Sequence, residues 1–234
     1  MDPIRSRTAE PNQQSTRTFD QPRQGALATN KVLRNTYMLL AMTLLFSGAV
    51  AGVSMALNLP HPGLIITLVG YFGLLFLTEK TKNSAMGLVS VFALTGFMGY
   101  TLGPIINAYV SFLSNGTEIV MMAMGGTGAI FVGLSAYALA SGKRYSNWGA
   151  GLTVGILLAF VAAIANVWLQ MPALALTVSS LFVVLMCGLI LYQTGEIIHG
   201  GETNYISATV TLFVSIYNLF LSLLQLLGAL AGEE

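Results

Sequence analysis

Charge is what this chain has least of. Only 8% of its 234 residues are charged, against roughly 25% in soluble globular domains. Ten Lys+Arg and nine Asp+Glu are too few to cover a soluble fold of this size. With 55% hydrophobic residues, the apolar surface that a soluble core would bury must go to a bilayer. Cysteine is nearly absent too: the single Cys187 excludes an internal disulfide and a cysteine-rich metal site. Two histidines, His61 and His199, exclude a multi-histidine centre. GxSxG and HExxH motifs are missing. No Asp, Glu, Lys or Arg stands in the middle of an apolar run, which argues against an ion-coupled pump. The chain therefore reads as a non-enzyme with no catalytic residue, no metal and no cofactor, and with the lipid bilayer rather than nucleic acid as its surroundings.

What the sequence does have is apolar runs. Stretches of about 20 such residues span a membrane as helices, and seven are present: Tyr37–Leu57, Gly63–Thr78, Met86–Ile106, Ile119–Ala140, Trp148–Leu169, Ala173–Thr194 and Tyr205–Ala231. The expected fold is all-α integral membrane, with seven transmembrane helices in residues 36–234. Short connections carry turn residues, as in Asn58-Leu59-Pro60-His61-Pro62 and Gln170-Met171-Pro172. Pro104 is expected to kink or end the third span.

Residues 1–35 are different material. They hold six of the ten cations (Arg5, Arg7, Arg17, Arg23, Lys31 and Arg34) and are rich in Gln, Thr, Pro and Ser. A segment this polar is expected to be a disordered N-terminal tail. The other cations are Lys80 and Lys82, between spans two and three, and Lys143 and Arg144, between spans four and five. Seven spans with the N-terminus in the cytoplasm place all ten on one side, as the positive-inside rule requires. The C-terminus is then periplasmic in a bacterium.

Span seven carries Asn204, Ser207, Thr211, Ser215, Asn218, Ser222 and Gln225. At about 100° per residue these share an arc of roughly 80°. Lipid disfavours such a stripe, so it faces protein or water. Two readings are open: hydrogen bonding between helices and to the helix's own carbonyls, or a water-lined path. Span one has a weaker version in Thr36, Thr43, Ser47, Ser54 and Asn58. Small-xxx-small pairs (Gly48/Gly52, Gly99/Gly103 and Gly151/Gly155) point to close helix packing. Met121, Met122 and Met124 read as lipid-facing. In the loop GEIIHGGETN, Glu196, His199 and Glu202 recur every three residues, but Gly200-Gly201 breaks the helix between them. A capped helix end and a tight turn fit better than a metal site.

The stretches KVLRNTY (Lys31–Tyr37), PGLIITLVG (Pro62–Gly70), LGPIIN (Leu102–Asn107) and IIHGGETNYI (Ile197–Ile206) resemble bacterial inner-membrane members of the Bax inhibitor-1 family. The resemblance runs from about residue 30 to the end and leaves out the tail. It implies a bundle whose last helix is central. It also implies a protein that binds and modulates the membrane-anchored AAA protease FtsH, and is itself its substrate, alongside that protease's membrane-protein partners. Other members are pH-sensitive calcium leaks that use two aspartates. The matching positions here are Gln193, in Tyr192-Gln193-Thr194, and Ser215, in Leu212-Phe213-Val214-Ser215. Neither is acidic, and Gln and Ser cannot share a titrating proton as two carboxylates do. A passive calcium or proton leak is thus the weaker alternative, and a purely structural bundle a third.

The ten cations make a prediction about topology. A reporter active only in the periplasm, fused after Glu234, should be active, and a cytoplasm-only reporter silent. The reverse pattern would refute the orientation.

Overall fold

The computed structural model describes residues 21–232. They form seven long α-helices and one short 3-10 turn, with no strand among the described residues. The helices are α1 (Gln21–Ala56), α2 (Leu64–Thr81), α3 (Ala85–Phe112), α4 (Gly116–Ser141), α5 (Gly149–Leu169), α6 (Pro172–Ile198) and α7 (Tyr205–Ala231). All seven are long and apolar enough to cross a membrane. Each expected span lies within or nearly within its helix. The helix of the first span begins well before it: residues 21–35, assigned to the tail on composition, are helical, and the rest of that segment lies outside the described residues. Polar residues such as Gln, Lys and Arg are good helix formers, so low hydropathy marks where lipid contact stops and not where a helix does.

The last helix is the hub. α7 packs against α1, α3, α4 and α6, while α1 also packs on α3, and α6 on α4 and α5. Its buried side chains include Leu212, Phe213, Leu219 and Leu224. They join Leu40, Leu94 and Met98 in one apolar cluster, Ile119 and Ala123 in a second and Met186 and Ile190 in a third. By contrast α2 and α5 lie at the edge, each with one buried residue, Thr78 and Ala159. The two edge helices meet through Phe72 and Phe160, whose rings are edge-to-face with centroids 5.5 Å apart.

The tightest seam joins α1 to α3. A Cβ on Gly99 would collide with the Ser47 carbonyl, and one on Gly103 would lie 2.6 Å from the Ser54 side chain and 2.8 Å from the Ala51 carbonyl. Only glycine permits this approach. Pro104 does not end the third span: α3 continues through it to Phe112. Proline has no N–H, so it cannot donate to the carbonyl four residues earlier, Tyr100. That carbonyl is instead taken by the Ser54 hydroxyl of α1, at 3.0 Å. The freed acceptor is satisfied across the seam, and the helix survives its proline. Further along, Tyr100 Oη donates to the Pro60 carbonyl at 2.8 Å, and Asn107 Nδ2 to Asn58 Oδ1 at 2.9 Å. These tie α3 to the α1–α2 connection.

The first small-residue pair behaves differently. Gly48 and Gly52 have nothing within 4 Å of a Cβ position. They line an apolar groove of about 630 Å³ between α1 and α4, floored by α7, with Met121 and Met124 on its far wall.

The two pairs therefore predict opposite responses. Gly103→Val should lower thermal stability in detergent by the overpacking cost of about 1–3 kcal/mol. Gly48→Val, which enters open space, should stay within about 0.5 kcal/mol. Equal losses from both would contradict the packed seam.

Candidate functional site

The polar stripe of α7 is built from three kinds of contact. At its start Asn204 caps the helix, its Oδ1 accepting from the N–H groups of Ile206 and Ser207 at 2.9 and 3.1 Å. Its Nδ2 donates to Asn83 Oδ1 at 2.8 Å and to the Lys82 carbonyl at 3.2 Å, fastening α7 to the α2–α3 turn. In the middle the side chains fold back on their own helix. Thr211 donates to the Ser207 carbonyl at 3.1 Å, Ser215 to Thr211 at 2.7 Å and Asn218 to Val214 at 2.8 Å. At the far end Gln225 Oε1 accepts from Ser179 Oγ of α6 at 2.7 Å. Of the seven residues only Ser215 and Ser222 are buried, and Gln225 is exposed. The stripe runs along the margin of the buried face of α7 rather than through its centre.

Two stripe residues border open space. Ser207 and Thr211 line a gap of about 390 Å³ between α2 and α7, with Thr78 and Glu79 on the other wall. Ser207 Oγ donates weakly to Glu79 Oε2 at 3.5 Å, and the other Glu79 oxygen pairs with Lys82. That hydrogen-bonded pairing raises the Lys82 pKa above its ordinary value.

The weaker stripe of span one is the more deeply buried. Thr36, Thr43, Ser47 and Ser54 are all buried, and Asn58 lies beyond the helix in the α1–α2 connection. Thr36 offers its carbonyl to Thr209 of α7 at 3.2 Å. The adjacent Tyr37 Oη lies 3.3 Å from Thr194 Oγ1 of α6. Polar links also join α3 to α7, where Thr101 Oγ1 and Tyr217 Oη are 3.1 Å apart.

The two family positions are both interior. Ser215 is fully buried and bonded to its own turn. Gln193 is 6% exposed, and its amide nitrogen, though buried, has no partner. No hydrogen bond joins the two.

The loop after α6 is a cap and a turn. Gly200 is left-handed, at φ 72°, and the N–H groups of Gly201 and Glu202 return to the Glu196 carbonyl at 2.8 and 3.1 Å. Glu202 Oε1 accepts from the Asn204 N–H at 2.8 Å. His199 contacts two carbonyls: Nδ1 is 2.8 Å from that of Gly195 and Nε2 3.0 Å from that of Gly142, at the end of α4. His199 and Glu202 thus bond to different backbone groups, the buried Glu196 Oε1 has no hydrogen-bond partner, and the three form no metal-holding cluster among the described residues. The His199–Gly142 contact escaped the sequence reading, because a backbone carbonyl leaves no mark on residue type.

A seven-helix bundle around its last helix, with side-chain hydroxyls and amides at the helix contacts and no charged residue in the middle of any span, defines a class of polytopic membrane protein. Residues 29–232 match the family described as Inhibitor of apoptosis-promoting Bax1, and the chain belongs to that family. It is 52% identical over 206 residues to the Modulator of FtsH protease YccA of Escherichia coli K12, covering 88% of this chain and 93% of that one. The Inner membrane protein YccA of Escherichia coli O6:H1 matches to the same extent. Protein lifeguard 4 of the mouse is 29% identical over 206 residues, covering 84% of each chain.

The interior positions yield a test of packing. Ser215→Leu should destabilise the bundle by about 1–3 kcal/mol, since the site has no room. Gln193→Met should be neutral or stabilising, because it removes a buried donor that has no acceptor. Loss of stability in the methionine variant would mean that the Gln193 amide has a partner.

Proposed function

We propose that this chain is a multi-pass inner-membrane protein, N-terminus cytoplasmic and C-terminus periplasmic, that binds and modulates the AAA protease FtsH and is itself its substrate. The observation that carries this reading is the 52% identity over 88% of the chain to a protein named as a modulator of that protease. A calcium or proton leak is less well supported, since Gln193 and Ser215 supply no titrating pair.

A physical mechanism follows. A protease that pulls its substrates needs a cytoplasmic handle. Residues 1–20 are polar and include three arginines, and precede the first span. Pulling from there brings the load onto α1, which is bound to α3 by the glycine seam and to α7 by apolar packing. A bundle that resists extraction occupies the protease and slows its turnover of other membrane proteins.

Deleting residues 2–20 should leave the bundle folded, because they lie outside every span. The deletion should also lengthen the protein's cellular lifetime several-fold in the presence of the protease. An unchanged lifetime, in cells where loss of the protease stabilises the full-length chain, would show that the handle lies elsewhere.

A further inference from the structure

α1 and α4 both pack on α3 and on α7, and between them lies the apolar groove of about 630 Å³. Its lining covers residues 44–55 of α1 and 117–131 of α4, with residues 213–220 of α7 as the floor. At 1.5 Å per residue the longer wall runs for about 21 Å, most of a hydrocarbon core roughly 30 Å thick. No charged residue lines it. Leu45, Met121 and Met124 stand at its rims and are exposed, so the groove opens sideways into the bilayer. Its occupant is then a lipid chain or a membrane-spanning segment.

Three features select a helix. The first is size. A helix about 10 Å across and 20 Å long fills roughly 1,600 Å³, so the groove admits one face of it and leaves the other in lipid. The second is glycine. Gly48 and Gly52 on α1 and Gly128 on α4 line the groove, and each has nothing within 4 Å of a Cβ position. An acyl chain bends around side chains and needs no glycine, whereas a close helix backbone does. The α1–α3 seam shows the occupied form of such a face, where Gly99 and Gly103 meet the backbone of α1. The third is Ser47, which lines the groove at 4% exposure. Its hydroxyl forms no hydrogen bond with any described residue. A helix offers carbonyls and hydroxyls that can bond it, and a methylene chain offers nothing.

The position of the groove says whose helix it suits. One wall is α1, and residues 1–20, the cytoplasmic handle, lead directly into α1. A protease whose anchoring helix lies against α1 has its cytoplasmic body beside that handle. The lining belongs to the last part of α1 and the first part of α4, away from the end of the bundle that carries Lys80, Lys82, Lys143 and Arg144. A helix seated there leaves the cation-bearing end open for the handle to be gripped.

We propose that the groove between α1 and α4 is the docking site for a transmembrane helix of the protease, an uncharged segment that presents small residues four apart to Gly48, Gly52 and Gly128. This rests on the reading of the chain as a modulator of FtsH, and it supplies the surface by which the protease is held. The handle and the groove then have separate tasks: one is pulled, and the other keeps the protease beside the bundle.

The test is recovery of FtsH with the full-length chain from native membranes in mild detergent. Gly48→Leu combined with Gly128→Leu fills the groove. Gly133→Leu, on α4 and also facing open space but outside the groove, is the control. The double variant should keep wild-type thermal stability and recover about tenfold less protease, while the control recovers as much as wild type. A photo-crosslinking benzoylphenylalanine in place of Met124 leaves the glycines intact and decides the matter if the double variant does not fold. It should join the chain to FtsH, and the same residue in place of Val161, exposed on α5, should not. Undiminished recovery by a folded double variant, or crosslinks from position 124 that reach only lipid or only a second copy of this chain, would overturn the groove and leave the protease reading standing. No FtsH recovered with wild type would overturn both.

Discussion

Lipid offers a polar atom no partner, and every feature of this bundle answers to that fact. Backbone groups are satisfied within helices, and side-chain hydroxyls follow the same rule. Thr78, Thr127, Thr209 and Ser215 each donate to the carbonyl one turn earlier, at 2.7 Å. Such a residue places a hydroxyl in the interior without needing a neighbour. This explains how a helix can bear a polar stripe and yet meet its neighbours mainly through Leu, Ile and Phe. Bonds between helices are fewer, among them Ser54 to Tyr100, Thr209 to Thr36, Tyr37 to Thr194, Thr101 to Tyr217, and Ser179 to Gln225.

The same constraint divides the molecule into a fixed part and a loose part. α1, α3, α4, α6 and α7 share apolar clusters and polar links. α2 and α5 each bury only one residue and pack chiefly on one long helix, α3 and α6 respectively. Where α2 fails to close on α7, the gap is lined by Glu79, Ser207 and Thr211 and lies at the end of the bundle that carries Lys80, Lys82, Lys143 and Arg144. The α4–α5 connection is at that end too. Polar groups without full protein partners thus gather toward one face, where the aqueous phase can supply what lipid cannot.

Much of this could be read from sequence. Span number and approximate limits follow from length and hydropathy alone, since only helices of that length satisfy their backbone in lipid. The start of α1 did not, because helix propensity and hydropathy diverge in residues 21–35. That Pro104 does not end α3 was not legible, because its missing N–H is offset by a serine fifty residues away. The α7 stripe was visible, but its arc does not tell whether it occupies the centre or the margin of a buried face. The weaker stripe on α1 proved the more buried. The seam was half legible: Gly99/Gly103 and Gly48/Gly52 look identical in sequence, yet one pair meets backbone and the other meets empty space.

The Ser54–Tyr100 contact also fixes register. Within an α-helix nearly every carbonyl already accepts one backbone N–H and can take a hydroxyl only as a second donor, whereas the Tyr100 carbonyl of α3 lacks its backbone donor because of Pro104. If α1 moved one turn along its neighbour, Ser54 would face an acceptor already bonded once and the Tyr100 carbonyl would lose the donor it has in Ser54. Glycine contacts alone tolerate such a slip, because small residues present a smooth groove. The proline acts as a keyway and the serine as its key, so that a single missing N–H sets the depth at which the first helix sits against the third.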